Sequence, residues 1–317
     1  MKPDNVTKER EKNRCPENFE GGVICINKPA GCSSHDVVGK LRRLFGTRQV
    51  GHTGTLDPMA TGVLTVMIGR AVKASEYLTA ENKAYVAGVR LGITTDTEDV
   101  TGQILTRFSG DLPSLSQVSE AAMRLTGSIM QTPPMYSALK VDGKKLVDLA
   151  RRGVQIQREA RPITVFSLTA EPTVRPDEFI LRAECSKGTY IRTLCSDLGK
   201  LLGCGAAMSS LCRTKSGSFT LEDSFTIEQL DAMAFNERLG LLHPVEALFK
   251  QLDAVNLGDF YARLAHCGCE LYQKKLHTSY KVGERVRLFD SLGFFALGEV
   301  RDFEGGTAIK PIKQFRI

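Results

Sequence analysis

Between Gly51 and Gly62 the chain reads Gly-His-Thr-Gly-Thr-Leu-Asp-Pro-Met-Ala-Thr-Gly, a single carboxylate set among glycines, threonines and a proline. No other stretch constrains fold and chemistry as much. Glycines at 51, 54 and 62 permit a tight turn or close approach to a ligand. Pro58 biases Asp57 away from the α region toward extended backbone. Asp57 is therefore expected on a rigid turn with its side chain offered outward. An isolated Asp-Pro pair more often marks a helix start, with Asp as N-cap and Pro as first helical residue. Here the whole string argues for a site.

At 317 residues the chain can build a large core and more than one domain. Hydrophobic residues at 42% and charged residues at 25% are ordinary for a globular protein. The longest apolar runs, such as 63–68, are too short to span a bilayer. Residues 1–18 are polar and charge-dense, without the apolar centre of a signal peptide, so they are expected to form a mobile tail of a cytoplasmic protein. The nine cysteines, an odd number lying mostly beside apolar residues, read as buried reduced thiols. His266, Cys267, Cys269 and His277 cluster, but a C-x-C spacing suits zinc poorly, and no metal is expected.

The net charge of +6 is unevenly placed. From Lys140 to Arg161 seven basic residues outnumber the three acids Asp142, Asp148 and Glu159. A second group, Lys40, Arg42, Arg43 and Arg48, precedes the glycine-rich motif. A third is Lys274, Lys275, Lys281, Arg285 and Arg287. Such groups flanking a site suit a phosphate backbone, although solvated charge alone would look similar.

Gly21 to Asn27 reads as a buried strand. Ser33 or Ser34 caps a helix carrying Val37, Val38, Leu41 and Leu44 at helical spacing. Strands are expected at 63–68, 83–91, 164–168 and 179–185. Helices are expected at 116–125, 145–152 and 189–202, and over 227–248 with a break near Gly240 to Pro244. Strands and helices without regular alternation predict an α+β architecture. Beyond about residue 250 short strand-like runs (284–289, 294–300, 307–310) predict a small β-rich domain. The expected organisation is thus a tail (1–18), a catalytic domain (19–249) with an insertion at about 131–161, and a C-terminal domain (250–317).

The stretch from Gly51 to Gly62 resembles the catalytic signature of TruB-type tRNA pseudouridine synthases. Further motifs follow in that family's order. Asn27 to Ser34 resembles its K-P-x-G-x-S-S element, and Lys83-Ala84-Tyr85 with Thr95 to Asp99 its tyrosine element. Pro133 to Lys140 is similar to a segment of the bacterial, stand-alone enzymes. Cys185 to Arg192 with Asp197-Leu198-Gly199 resembles its arginine element, and Leu211 and Arg213 a later L-x-R pair. One departure is Val147, where the family usually has tyrosine. The resemblance implies a sheet-and-helix synthase core with a C-terminal PUA-like domain. It implies conversion of uridine to pseudouridine at position 55 in the T loop of tRNA, by a monomer with no obligate protein partner.

That isomerisation breaks the N1–C1′ bond, turns the uracil and joins C5 to C1′. It gains and loses no atoms, so neither metal nor redox cofactor is required. One carboxylate, Asp57, could attack C1′ or C6, remove a sugar proton, or stabilise positive charge on the ribose. The resemblance places Arg192 beside it as a fixed cation. An enzyme acting on a base in folded RNA must flip it out, and a flat ring can stack on it. Tyr85 matches the stacking tyrosine. His52 matches a histidine contacting the rearranged loop. Tyr190 and Lys28 are expected to line the pocket and Leu211 to pack on the base. Lys140, Lys144, Lys145, Arg151 and Arg152 are expected to grip RNA backbone. Rival readings are a guide-RNA-dependent synthase of ribosomal RNA, and an RNA-binding or folding protein with secondary catalysis. A glycoside hydrolase would need two flanking acids, and the motif holds one.

Overall fold

The computed structural model describes residues 19–316 except 80, 138 and 142. The tail expected over 1–18 lies outside the described residues, as do the side chains of Lys140 and Lys145.

The chain opens with β1 (Gly22–Lys28), α1 (Ser34–Leu44), β2 (Val50–His52) and β3 (Thr61–Ile68). Next come α2 (Ser75–Thr79), β4 (Lys83–Leu91), the hairpin β5 (Ile93–Thr95) and β6 (Ile104–Arg107), α3 (Leu115–Arg124) and β7 (Gly127–Gln131). A small hairpin, β8 (Lys140–Val141) and β9 (Lys144–Lys145), leads into α4 (Leu146–Ala150). β10 (Arg161–Pro172), β11 (Glu178–Cys185), α5 (Ile191–Leu201) and β12 (Ala206–Ser216) follow. Then come β13 (Phe219–Thr220), β14 (Ser224–Phe225), α6 (Ile227–Ala232) and α7 (Phe235–Gly240). The last elements are β15 (Asp253–Asn256), α8 (Asp259–His266), β16 (Leu271–Tyr272), α9 (Gln273–Leu276), β17 (Arg285–Asp290), β18 (Gly293–Phe303) and β19 (Gly306–Gln314).

A mixed sheet of ten strands runs in the order β14-β1-β3-β12-β4-β11-β10-β7, with β2 beside β3 and β13 beside β12. Its pairings are antiparallel except β1 with β14 and β3 with β12. With helices packed on it, this is the α+β architecture expected. β1 is apolar at successive positions because both its faces are covered. Ile24 and Ile26 join the main core, which includes Leu41 and Phe45 beside α1. Val23 and Cys25 face a second core holding Phe249, Leu297 and Phe315. The C-terminal sheet, ordered β15-β17-β18-β19-β16, therefore docks on the reverse face of the large one. Ion pairs Lys313–Glu76 (2.8 Å) and Arg287–Glu246 (3.0 Å) tie the two together.

Ser33 is the residue that caps α1. Its hydroxyl accepts from the Asp36 amide (3.1 Å), and its amide donates to the Asp36 carboxylate (2.8 Å), a reciprocal box. β4 spans Lys83–Leu91 as its alternation predicts. The longest elements without a counterpart among the expectations are the central strand β12 and helix α8; short ones such as β2, α2, β5, β6 and β7 lack one too.

Leu64 is fully buried in the main core. Leu64→Ala is expected to lower unfolding free energy by about 2–5 kcal/mol, read from urea midpoints at constant m. A loss under about 1 kcal/mol would contradict the packing described here.

Candidate active site

The turn that carries Asp57 is held from several directions. The Ala60 amide donates to the Asp57 carbonyl (3.0 Å), closing the turn through Pro58 and Met59. Leu56 is clamped by Ser34, whose hydroxyl accepts from the Leu56 amide (2.9 Å) and donates to its carbonyl (3.1 Å). Lys28 is fully buried. Its ammonium donates to the carbonyls of Pro29 (2.9 Å), Cys32 (2.7 Å) and Pro58 (3.4 Å). Burial chiefly pulls its pKa below the usual lysine range, with nearby Cys32 and Asp57 opposing. The structure places the Lys28 charge, enclosed, against the loop carbonyls beside Asp57.

Arg192 lies in the first turn of α5 with its side chain only 6% exposed, whereas that of Asp57 is 34% exposed. Arg192 Nε sits 2.9 Å from Asp57 Oδ2, and Nη2 lies 3.4 Å from Oδ1. The same guanidinium donates to the carbonyls of Thr97 (3.0 Å) and Tyr136 (2.7 Å). One side chain thus gathers the aspartate turn, the 95–99 turn, the 131–161 segment and α5. Both donors of the fork are committed, so the carboxylate is fixed in direction as well as charge.

Around this pair the structure brings Tyr85, Leu211 and Arg213 together on adjacent strands. Tyr85 pairs with Arg213 and Ala87 with Leu211 across β4 and β12. Tyr85 is largely buried at 8% exposure. Burial pushes its hydroxyl pKa up, and Arg213 opposes this by charge and hydrogen bond. Tyr190 is half-buried as N-cap of α5, its amide donating to Gln131 Oε1 (2.8 Å) and its carbonyl accepting from Gln131 Nε2 (3.1 Å). His52 ends β2, half-buried, with Nδ1 accepting from the Gly54 amide (3.3 Å) and its ring edge-on to His35.

Burial, then the charges of His35 and Arg213, hold His52 below its ordinary value of 6.5. The unfolded chain therefore binds the proton more readily than the folded one. The stability from neutral His52 is complete above about pH 6.5 and is lost as pH falls toward the lowered value. His52→Gln is expected to flatten the fall in melting temperature between pH 7.5 and 5; an unchanged slope would remove His52 from this account.

Several contributors escaped the sequence reading. Thr97 and Tyr136 act through backbone carbonyls, which leave no residue signature. Gln131 is 2% exposed and was legible only as part of a breaker. Glu98 adopts φ +65° and accepts from Thr193 Oγ1 (2.6 Å), next to Arg192. Its place in Thr95 to Asp99 was the available signal. Burial raises its pKa, with Thr193 and Arg192 opposing.

In the basic segment Lys144, Arg151 and Arg152 are exposed. In the third basic group Arg285 pairs with Glu299 (3.1 Å) and Arg287 with Glu246, which leaves less free charge than the sequence suggests. His266 stacks on Phe295 and pairs with Asp290 (3.0 Å). Among the described residues no helix is long and apolar enough to cross a membrane.

Comparison with known proteins agrees with this geometry. Residues 42–191 match the TruB family pseudouridylate synthase N-terminal domain, and residues 192–250 the tRNA pseudouridylate synthase B C-terminal domain. The chain is 42% identical over 290 residues to tRNA pseudouridine synthase B of Aromatoleum aromaticum, covering 92% of this chain and 91% of that protein. It is 45% identical to the protein of the same name from Cupriavidus metallidurans, covering 78% and 80%. Among solved structures it superimposes on a chain of a Cbf5–Nop10–Gar1 complex with a TM-score of 0.68 at 25% identity, covering 96% of this chain and 88% of that one. With the motif residues assembled around one arginine-bound aspartate, and with kinship over nine-tenths of its length, the chain belongs to the TruB family of pseudouridylate synthases.

Proposed function

We propose that this chain converts uridine 55 in the T loop of tRNA to pseudouridine, acting in the cytoplasm as a monomer without a guide RNA or protein partner. The observation that carries the reading is the Asp57–Arg192 ion pair, 2.9 Å long, with the acid one-third open to solvent. The relatives named tRNA pseudouridine synthase B support tRNA as substrate. In this reading the residues around 19–249 form the catalytic unit, and those beyond about 250 form a PUA-like unit.

The extruded nucleotide enters with its sugar against the Asp57 carboxylate. Asp57 acts on it as nucleophile, as base at a sugar proton, or as a fixed negative charge opposite developing positive charge. Arg192 holds that carboxylate in place. Tyr85 offers its ring to the uracil, Leu211 packs on the base, and Tyr190 closes the pocket wall. His52, uncharged, fills the gap left in the loop. Lys28 keeps the turn in position.

Lys140, Lys144, Lys145, Arg151 and Arg152 grip backbone in this account. Neutralising Lys144, Lys145, Arg151 and Arg152 together is expected to weaken tRNA binding and to reduce the slope of log K against log salt by about 2–3. An unchanged slope would detach this segment from the RNA. The fold likeness to a chain of a Cbf5–Nop10–Gar1 complex favours the alternative of an enzyme that works within an assembly; the 131–161 segment, similar to that of the stand-alone enzymes, opposes it. An unmodified tRNA transcript incubated with the purified chain alone separates them. Conversion is expected without further components, and conversion only after a guide RNA or partner protein is added would overturn the stand-alone reading.

A further inference from the structure

Arg213 is only 2% exposed and lies at the centre of the large sheet. On β12 it faces Gly62 of β3 on one side and Tyr85 of β4 on the other. Its Nε donates to the Val63 carbonyl (2.6 Å) and its Nη2 to the Gly54 carbonyl (3.1 Å). Among the described residues no carboxylate forms an ion pair with it. Burying a guanidinium without a carboxylate partner, on the Val63 and Gly54 carbonyls and the Tyr85 hydroxyl, is costly relative to an apolar side chain of the same size, so packing does not account for an arginine here.

One glycine of the Gly51–Gly62 motif, Gly62, is explained by the backbone of Arg213, and a second, Gly54, lies within van der Waals reach of its side chain. Gly62 has φ +98°, and a Cβ there would fall 2.2 Å from the Arg213 carbonyl oxygen. Gly54 has φ +150°, and a Cβ there would lie 3.5 Å from Arg213 Nη1. The loop therefore sits down on the arginine. From Gly54 the chain runs through Leu56, itself pinned to Ser34, directly into Asp57.

We propose that Arg213 is a positioning residue for the isomerisation, locking the Gly54 loop and the Tyr85 ring to one another and so setting where Asp57 meets the flipped nucleotide. This rests on the reading of Asp57 as the catalytic acid and Tyr85 as the base platform. The L-x-R element thereby gains a mechanical role. Its arginine touches no substrate, yet it spans the strand bearing the platform and the loop bearing the acid. Lysine cannot do this, because one ammonium does not reproduce a planar fork with donors on separate acceptors. The fixed charge of Arg213 is also felt by Lys83 and His52, each held below its usual pKa first by burial and further by Arg213.

The test uses the full chain with a T stem-loop RNA. Arg213→Lys, Arg213→Gln, Tyr85→Phe and the combined Arg213→Lys/Tyr85→Phe variant are compared in single-turnover rate, RNA dissociation constant and melting temperature, with Asp57→Asn alongside. For whichever Arg213 variant melts near the parent, the rate is expected to fall about a hundredfold, with the dissociation constant within about threefold. The Tyr85 and Arg213 losses are expected to overlap, so that the double variant loses far less than their product. A folded Arg213 variant within threefold of the parent rate, or strictly multiplicative losses, would overturn the proposal. So would failure of both Arg213 variants to fold, since a structural arginine would then suffice. If Asp57→Asn kept its rate, the catalytic reading itself would fall; if Asp57→Asn alone were inactive, only the role of Arg213 would.

Discussion

Asp57→Asn should stop pseudouridine formation while leaving RNA binding intact. The substitution keeps the shape of the side chain and removes its charge, basicity and nucleophilicity together. Each of the roles open to Asp57 needs at least one of these, so a loss of about 10⁴-fold or more is expected whichever operates. In the proposed function binding draws on cationic and stacking contacts, none of which is Asp57. Removing a negative charge one-third open to solvent should, if anything, tighten the hold on a polyanion. Single-turnover assays and filter binding on the same RNA check both halves. Turnover within tenfold of the parent would end the catalytic assignment.

The second large effect is expected at Arg192. Its guanidinium meets Asp57 Oδ2 at 2.9 Å, the Tyr136 carbonyl at 2.7 Å and the Thr97 carbonyl at 3.0 Å. Arg192→Lys keeps a cation but cannot hold three acceptors lying in different directions. Its turnover should drop by about 10²–10³-fold, with the loss mainly in kcat. Arg192→Met also strands two carbonyls and one carboxylate. It should cost about 2–3 kcal/mol of stability, because solvent reaches Asp57 and softens the penalty of an unpaired buried charge. A lysine variant with near-parental kcat would show that a positive charge nearby is enough and that the fork geometry is incidental.

The parts of the candidate site visible in the sequence are those whose side chains stand together in short motifs. Asp57 announced itself through the glycines and the proline around it, and Tyr85 and Arg192 through neighbouring motif residues. The strand Lys83–Leu91 was readable because its alternation survives burial. β12, which pairs with β3 and β4 in the middle of the sheet, was not. Its residues, Ala-Ala-Met-Ser-Ser-Leu-Cys-Arg-Thr-Lys-Ser, lack the β-branched alternation that marks a strand. Small side chains there let α5 approach, and a charged one, Arg213, fills the interior by hydrogen bonding to backbone. The burial of Lys28 was no more legible. A lysine in a motif gives no sign that its ammonium will be held by carbonyls, as it is here. Interactions that join a side chain to a distant backbone carbonyl, as Arg192 does with Thr97 and Tyr136, arise only when the chain has folded.

Nucleotide-resolution mapping of pseudouridine tests the central claim most directly. An unmodified tRNA transcript is incubated with the purified chain or with its Asp57→Asn variant, and every uridine is scored. The account predicts one converted position, uridine 55, with the parent and none with the variant. Conversion elsewhere, no conversion by the parent, or equal conversion by both proteins would contradict it.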